Sequence, residues 1–486
     1  MPNRAFQNIL FGALIILGIF LRFYRIDSQS LWWDEGYSFG LALDLKEHGI
    51  NAFSASHQGD AAALSSDKPQ ALYHILVSLL PSSWQPEWKM RFWPAITGSL
   101  SLFLLLGILK LQVKKSSQIL ITLLLAAISP FLIYYSQEGR PYSLLFLTDL
   151  LFLFFVQLYP KQVNLKQCLV ITCAIVIIGV TQFIGLIVPF SYALVQILLK
   201  RDIRTFKVWL VIGCLSTLLL LPIFYLIIIH RSAPLPSQGI SISNYLYAFY
   251  VFIVGFSLGP TSYELHLNRS ISAIVSYWPL ISAVGLAAGF ALLRGLVIEW
   301  KNKTSLYLLA VSALSLFMLS IAFFSRIIPL YPRHMMMLFP FFLLIIGKGL
   351  DSISNTILKL IVVIGLIFLM GWSDINFYYN EKYFKDDVRG AAALINNNEQ
   401  KGDLVLVGVM AAFMPYYSGL NQVMQIPKDD QQFFAFYDKL KRDHRLWIVI
   451  NRPWEFDPYM LKRAFLRGES SRLDSRNVQI YFPSEK

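Results

Sequence analysis

Charge is what this sequence has least of. Asp, Glu, Lys and Arg make up 15% of its 486 residues, against 56% hydrophobic residues and a mean hydropathy of +0.54. A soluble chain of this length would divide into domains with polar surfaces, so the shortage points to an integral membrane protein instead. Cysteine is scarce as well. Cys168, Cys173 and Cys214 all fall in apolar stretches and are read as small buried residues, with no disulfide framework and no metal-ligand spacing. A Walker motif, a nucleotide-binding glycine loop, a Ser-His-Asp spacing and a Cys/His cluster are also missing, which argues against a water-soluble nucleotide donor. There is no internal repeat and no low-complexity segment. Acidic residues are outnumbered, 29 against 42 Lys and Arg, leaving a net charge of +13. In a soluble protein that excess would raise nucleic acid as a partner. Here the positive-inside rule accounts for it, and no nucleic acid is expected.

Apolar runs are what the chain has in plenty. They fall at about 6–22, 92–110, 118–135, 142–159, 167–180, 183–199, 208–229, 274–293, 304–324, 335–350 and 356–375, and predict an all-α polytopic membrane protein with about eleven transmembrane helices. The first run has no small-residue cleavage site behind it and is expected to stay as an uncleaved membrane helix. The fifth and sixth are short, meet at "GVTQFIG" and predict a tight membrane hairpin. With a cytoplasmic N-terminus, the inner loops carry Lys110, Lys114, Lys115, Lys161, Lys166, Lys200, Arg201, Arg204, Lys207, Arg294, Lys301, Lys303 and Lys348. The short outer loops then keep only Arg140, Arg326 and Arg333. Residues 1–375 therefore read as a membrane domain with outer loops 24–91 and 230–272. Within the second loop, "NYLYAFYVFIVGFSLGP" (244–260) is aromatic-rich and glycine-broken, and is expected to be interfacial or re-entrant. Eleven spans put the C-terminus outside the cytoplasm. Residues 376–486 alternate helix-like "DDVRGAAALINNNEQ" and "DDQQFFAFYDKLKRD" with strand-like "DLVLVGV" and "RLWIVIN", predicting a small extracytoplasmic α/β domain. The expected location is a bacterial inner membrane.

"SLWWDEGYSFG" (30–40) follows the first span directly. Trp32, Trp33 and Tyr37 would hold it at the headgroup level, where a lower dielectric raises carboxylate basicity. Asp34, beside Glu35, is then placed to deprotonate a hydroxyl next to a membrane-embedded donor. The competing reading is an ordinary helix start with Asp34 as its N-cap. "DKPQALYH" (67–74) puts Lys68 ahead of an aromatic interfacial helix, as a point charge for phosphate or as a snorkelling anchor. In "SQEGRPYSLLFLTDL" (136–150), Arg140 is a base on the outer side, against the orientation rule. A guanidinium there either clamps a phosphate or pairs with Glu138 or the Asp34 loop. Asp149 lies at membrane depth, where an ionisable residue is a functional candidate by default. In "FFSRIIPLYPRHMMMLFP" (323–340), Tyr331 and Arg333 are candidates to face the same cavity as Arg140, with interfacial anchoring as the alternative.

Taken in order, "LWWDEGYS", "DKPQALYHIL" with "RFWPAITGSL", "SQEGRPYSLL" and "YPRHMMMLFPFFLLIIGKGL" resemble the motifs of the GT-C polytopic glycosyltransferases. The bacterial branch related to protein O-mannosyltransferases and lipid A aminoarabinose transferase is the most similar. The stretches cover most of the membrane half, and their order is more specific than any single match. The resemblance implies a polyprenyl-phosphate-linked sugar donor and a lipid, glycan or protein acceptor. It further implies inverting transfer on the non-cytoplasmic face. By that resemblance Asp34 is the base, Glu35 orients the acceptor, and Lys68 and Arg140, with Arg333 as the weaker candidate, hold the leaving phosphate. Trp33, Tyr37, His74, Tyr142, Gln182 and Tyr331 would line the substrate cavity. A divalent cation, if one takes part, would use Asp34 and Glu35 with water, since no full ligand set is visible.

The chain departs from the family pattern at three places. Gln70 stands where a second Pro is frequent, Gln182 where a His is common, and Arg333-His334 replaces an Arg-Tyr order. These bear on sugar and acceptor identity more than on reaction class. Two other classes compete. A transporter or flippase of lipid-linked saccharides would show inverted repeats and polar residues along several spans. A polymerase or ligase would carry its basic residues in a late loop, whereas here the first loop is the richer.

Overall fold

The computed structural model describes residues 4–54, 68–159, 164–230, 242–261, 264–265, 272–301, 306–408, 415–418, 423–426, 430–451, 470–475 and 478–483. Asp67, Lys161, Lys303 and part of the outer loop 230–272 lie outside the described residues.

Long apolar helices make up the first three quarters of the chain. Eight described helices are long and apolar enough to cross a membrane: Arg4–Phe23, Pro86–Gln112, Phe183–Lys200, Ile203–Ile229, Trp278–Lys301, Leu306–Phe324, Pro332–Asp351 and Thr356–Tyr379. A ninth crossing is the pair Ser116–Ala127 and Pro130–Ser136, bent by 47°. Tyr142–Leu158 and Leu165–Thr181 coincide with two more expected runs but have 17 residues each, short of the roughly 20 that a full crossing needs. The protein is thus a multi-pass membrane protein, with eight or nine crossings supported by length and composition rather than all eleven. Ile242–Val254 has 13 residues, too few to cross, and its last four pack into the bundle.

The bend has a local cause. Pro130 has no amide hydrogen for the Ala126 carbonyl and cannot continue the preceding helix. The buried Arg22 supplies the missing donors, from Nη2 to Ala126 O and from Nη1 to Ala127 O, both at 3.1 Å. Ser129 then starts the second half, its Oγ accepting from Leu132 N at 3.2 Å. The bent pair delivers residues 137–141 to the helix Trp33–His48, where the Gly139 amide meets Glu35 and Arg140 meets Ser38. The cysteine expectation needs correcting. Cys168 is buried, but Cys173 and Cys214 are exposed on the outside of the bundle. Helices apolar on all sides give no sequence signal of which side faces inward.

Beyond Tyr379 the chain builds the helix Val388–Asn398, then β1 (Leu404–Val407), β2 (Val423–Gln425), the helix Asp430–Leu440, β3 (Leu446–Asn451), β4 (Ser470–Ser475) and β5 (Val478–Pro483). The sheet order is β2-β1-β3-β5-β4. β1 runs parallel to β2 and β3, and β5 is antiparallel to β3 and β4. β1 and β3 read as unbroken apolar runs because both faces of the sheet are covered. Val405, Val407, Trp447 and Val449 pack on Val388, Ala391 and Ile395, while Leu406, Leu446 and Ile448 pack on Phe433 and Tyr437.

Candidate active site

The motif helix spans Trp33–His48. Its N-cap is Trp32, and Glu35 is the third residue in, accepting from the Trp32 amide at 3.3 Å. Asp34 is therefore not the cap. Both carboxylates lie in the first turn, where unpaired amides and the helix dipole favour negative charge.

Glu35 is fully buried and fully engaged. Arg91 donates from Nε to Oε1 at 2.9 Å and from Nη2 to Oε2 at 2.8 Å. The Gly139 amide donates to Oε1 at 2.6 Å, and Lys385 Nζ stands 3.1 Å from Oε2. Burial alone would raise the Glu35 pKa. The charges of Arg91 and Lys385, with the hydrogen bonds from Arg91 and Gly139, reverse this and hold it at about 2. Arg91 also donates to the carbonyls of Ile26 (2.8 Å), Gln29 (2.7 Å) and Ser30 (3.0 Å), pinning the stretch that leads into the motif. Residue 139 has to be glycine for this approach. A Cβ there would stand 2.8 Å from Met90 Cβ and 3.3 Å from Glu35 Oε1.

The C-terminal region closes the same stretch from outside. Ser30 Oγ donates to Asp386 O at 2.7 Å, and the Leu31 amide donates to the Tyr417 hydroxyl at 2.7 Å. That hydroxyl donates to Glu87 at 3.0 Å, and Arg389 pairs with Glu87 at 3.1 Å. Trp33 packs against the buried clusters on both faces of the C-terminal sheet and meets Tyr37 edge-on at 5.7 Å. Trp33 thus fastens the motif helix to this region. The interfacial anchoring expected of it is corrected, because an indole that finds a folded apolar partner has no reason to face lipid headgroups.

Asp34 is buried, and its Oδ2 accepts from Arg333 Nη1 at 2.6 Å. Arg140 donates from Nη1 to the Asp34 carbonyl at 3.3 Å and to Ser38 Oγ, one turn further on. The Arg333 guanidinium lies 5.0 Å from the Tyr331 ring and 5.8 Å from that of Tyr142. Arg333 keeps 22% of its side chain exposed, whereas Arg140 is buried. Asp34, Arg140, Arg333, Tyr142 and Tyr331 therefore converge at one place, brought there by the motif helix, the loop after the bent pair with the start of the helix Tyr142–Leu158, and the first turn of the span Pro332–Asp351 with Tyr331 just before it.

The remaining sequence candidates sit elsewhere. Lys68 donates to Ser54 O at 3.1 Å, and burial lowers its pKa while Asp44 opposes the shift. Asp44 lies further along the motif helix than Asp34 by a run of about 15 Å. His74 is buried, its Nδ1 2.9 Å from Gln70 O and its ring 5.2 Å from that of Tyr73. Gln182 is the extended residue that ends the helix Leu165–Thr181. Asp149 is buried with no hydrogen-bond partner among the described residues. A Cβ on Gly185 would stand 3.7 Å from its Oδ1. Sequence reasoning missed Ser38, Arg91, Lys385 and, except as a pairing partner for Arg140, Glu138. Arg91 carried one signal, its place in "RFWPAITGSL", whereas Lys385 looked like any loop charge.

The Asp34–Glu35 pair does not fit a shared divalent ion. The two side chains point to different cations, both Glu35 oxygens are engaged, and no group of three His, Cys, Asp or Glu that could hold a metal occurs among the described residues.

Glu138 is buried with Oε2 unpartnered among the described residues. Burial pushes its pKa up to about 7 from an ordinary 4.5, with Lys385 opposing and Glu35 adding. Between those two values the folded chain holds a proton that the unfolded chain has lost. Stability therefore falls as pH rises through that window, and the loss is complete above it. Glu138→Gln should raise the thermal midpoint at about pH 8 and leave it nearly unchanged at about pH 5. An unchanged midpoint at the higher pH would mean that water reaches the carboxylate.

No protein-family model matches the chain, and no curated protein matches it. Solved structures do. ArnT from Cupriavidus metallidurans in the apo state superposes with a TM-score of 0.57 at 12% identity, covering 97% of both chains. Its complex with undecaprenyl phosphate gives 0.55 at 12% identity, covering 99% of this chain and 98% of that one. The archaeal oligosaccharyltransferase AglB from Archaeoglobus fulgidus, with an inhibitory peptide and a dolichol-phosphate, gives 0.55 at 11% identity, covering 99% and 74%. The same oligosaccharyltransferase with Zn and sulfate gives 0.52 at 12% identity, covering 98% and 73%. At these identities the likeness is one of fold, over nearly the whole chain.

Proposed function

We propose that this chain, whose fold is that of the GT-C glycosyltransferases, moves a sugar from a polyprenyl-phosphate carrier to an acceptor hydroxyl on the non-cytoplasmic face, with inversion. The observation that carries this reading is the convergence of one buried carboxylate, Asp34, with two guanidinium groups, Arg140 and Arg333. A carrier tail dissolves in the bilayer, so the chemistry has to occur where its headgroup emerges. There the reaction needs a base for the acceptor and cations for the departing phosphate. The complexes of ArnT with undecaprenyl phosphate and of AglB with dolichol-phosphate support that donor class. Asp34 takes the hydroxyl proton, the acceptor oxygen attacks the anomeric carbon, and the bond to phosphate oxygen breaks with its electron pair leaving on the carrier. Arg333 and Arg140 hold the charge that develops. Lys68 lies near the far end of the motif helix, bonded to Ser54 O, and takes no part in holding the phosphate in this reading. Glu35 is a positioning residue, because both its oxygens are committed to Arg91, Gly139 and Lys385. Trp33 and Tyr37 hold the motif helix in place. The N-terminus is cytoplasmic, and the membrane is a bacterial inner membrane.

Purified protein given undecaprenyl-phosphate sugar and acceptor should release undecaprenyl phosphate. Movement of the intact lipid-linked sugar across a vesicle membrane, without cleavage, would replace this reading with a flippase. Arg140→Ala should raise the donor KM about tenfold or more while membrane insertion stays normal. Unchanged KM and kcat would make Arg140 a structural anchor for the motif helix.

A further inference from the structure

We propose that Arg333 changes partner during the reaction: Asp34 and the donor phosphate compete for its guanidinium, so that the base is released as the donor is engaged. The inference rests on the donor class proposed above. Three observations carry it. The Asp34 carboxylate accepts from Arg333 Nη1 at 2.6 Å, so the base is held by a cation. Arg333 keeps 22% of its side chain exposed, whereas Arg91 is buried and tied to three carbonyls and Glu35, and Arg140 is buried against the motif helix. Its flanking contacts are two aromatic rings, Tyr331 at 5.0 Å and Tyr142 at 5.8 Å, which hold a guanidinium more weakly than a second carboxylate would.

A carboxylate tied to a guanidinium is a poor base until that bond is given up. A phosphodiester presents two non-bridging oxygens in the geometry that a guanidinium fork binds bidentately. As the sugar leaves, that phosphate gains a second negative charge. In the same step Asp34 gains a proton and loses its charge. Both changes move Arg333 in one direction, from the base to the leaving group. The positive charge is thus with Asp34 before the donor arrives and with the phosphate as it departs. Acceptor deprotonation without a donor is disfavoured for the same reason.

A double-mutant cycle on undecaprenyl phosphate binding separates competition from simple charge repulsion. The unaltered protein, Asp34→Asn, Arg333→Ala and the double variant are compared in lipid nanodiscs, with Kd read from tryptophan fluorescence. Competition predicts that Asp34→Asn tightens binding about tenfold when Arg333 is present and less than about twofold when it is absent. Equal tightening in both backgrounds, or none in either, would overturn the exchange. Arg333→Gln replaces Arg333→Ala in the same cycle if the alanine variant fails to fold. No binding by the unaltered protein would instead overturn the donor class, and the exchange with it. The two failures are therefore distinguishable.

Discussion

Asp34→Asn should lower glycosyl transfer about a thousandfold, within the range that a general base contributes, while leaving insertion and the thermal midpoint close to those of the unaltered protein. The amide is isosteric and still offers an oxygen to Arg333, so the contact at 2.6 Å survives in weakened form. Arg333 remains partly exposed, so the positive charge left behind is not stranded in a dry core. What is lost is the capacity to accept a proton. Turnover and midpoint measured on the same preparation test this. Near-normal transfer would place the base elsewhere, with Glu138, held near neutral pKa by its burial, as the next carboxylate to replace.

Glu35→Gln should do the reverse and damage the fold before the chemistry. It removes the charge that balances buried Arg91 and Lys385 and weakens the acceptor for the Gly139 amide. Breaking one side of a buried ion pair typically costs about 3–5 kcal/mol, because the partner charge stays behind without compensation. A large drop in thermal midpoint or in folded yield is expected. Glu35→Met combined with Arg91→Met should cost less than the sum of the two single changes, since no charge is then left unpaired between them, while Lys385 and the carbonyls of Ile26, Gln29 and Ser30 still lose their partners. A Glu35→Gln protein of normal midpoint but lost turnover would mean that Glu35 touches the acceptor after all.

Adjacent residues on a helix point about 100° apart, which is why two neighbouring carboxylates can have opposite fates. From the residues alone, Asp34 and Glu35 were a pair, and the family resemblance assigned both to the chemistry. The contacts separate them: one meets a partly exposed arginine, the other a buried cluster. A similar limit applied to Trp33. An aromatic residue beside a membrane span reads as an interfacial anchor from composition, because the C-terminal sheet that covers it lies hundreds of residues later in the chain.

The sequence by itself determined the membrane class, the positions of the apolar runs, the α/β character of the tail and the stretch after the first span that is worth testing. Each of these depends on short-range properties: hydropathy against a bilayer of set thickness, strand and helix periodicity, and charge bias between loops. Only the tertiary structure decided that Asp34 meets a partly exposed arginine while Glu35 is enclosed by Arg91, Gly139 and Lys385, and that Lys385 from beyond the last span reaches the motif. Those answers depend on contacts such as Arg91 to Glu35, 56 residues apart, and Arg333 to Asp34, 299 apart. No local pattern encodes them, because a buried charge takes its role from the counter-charge that packing brings to it.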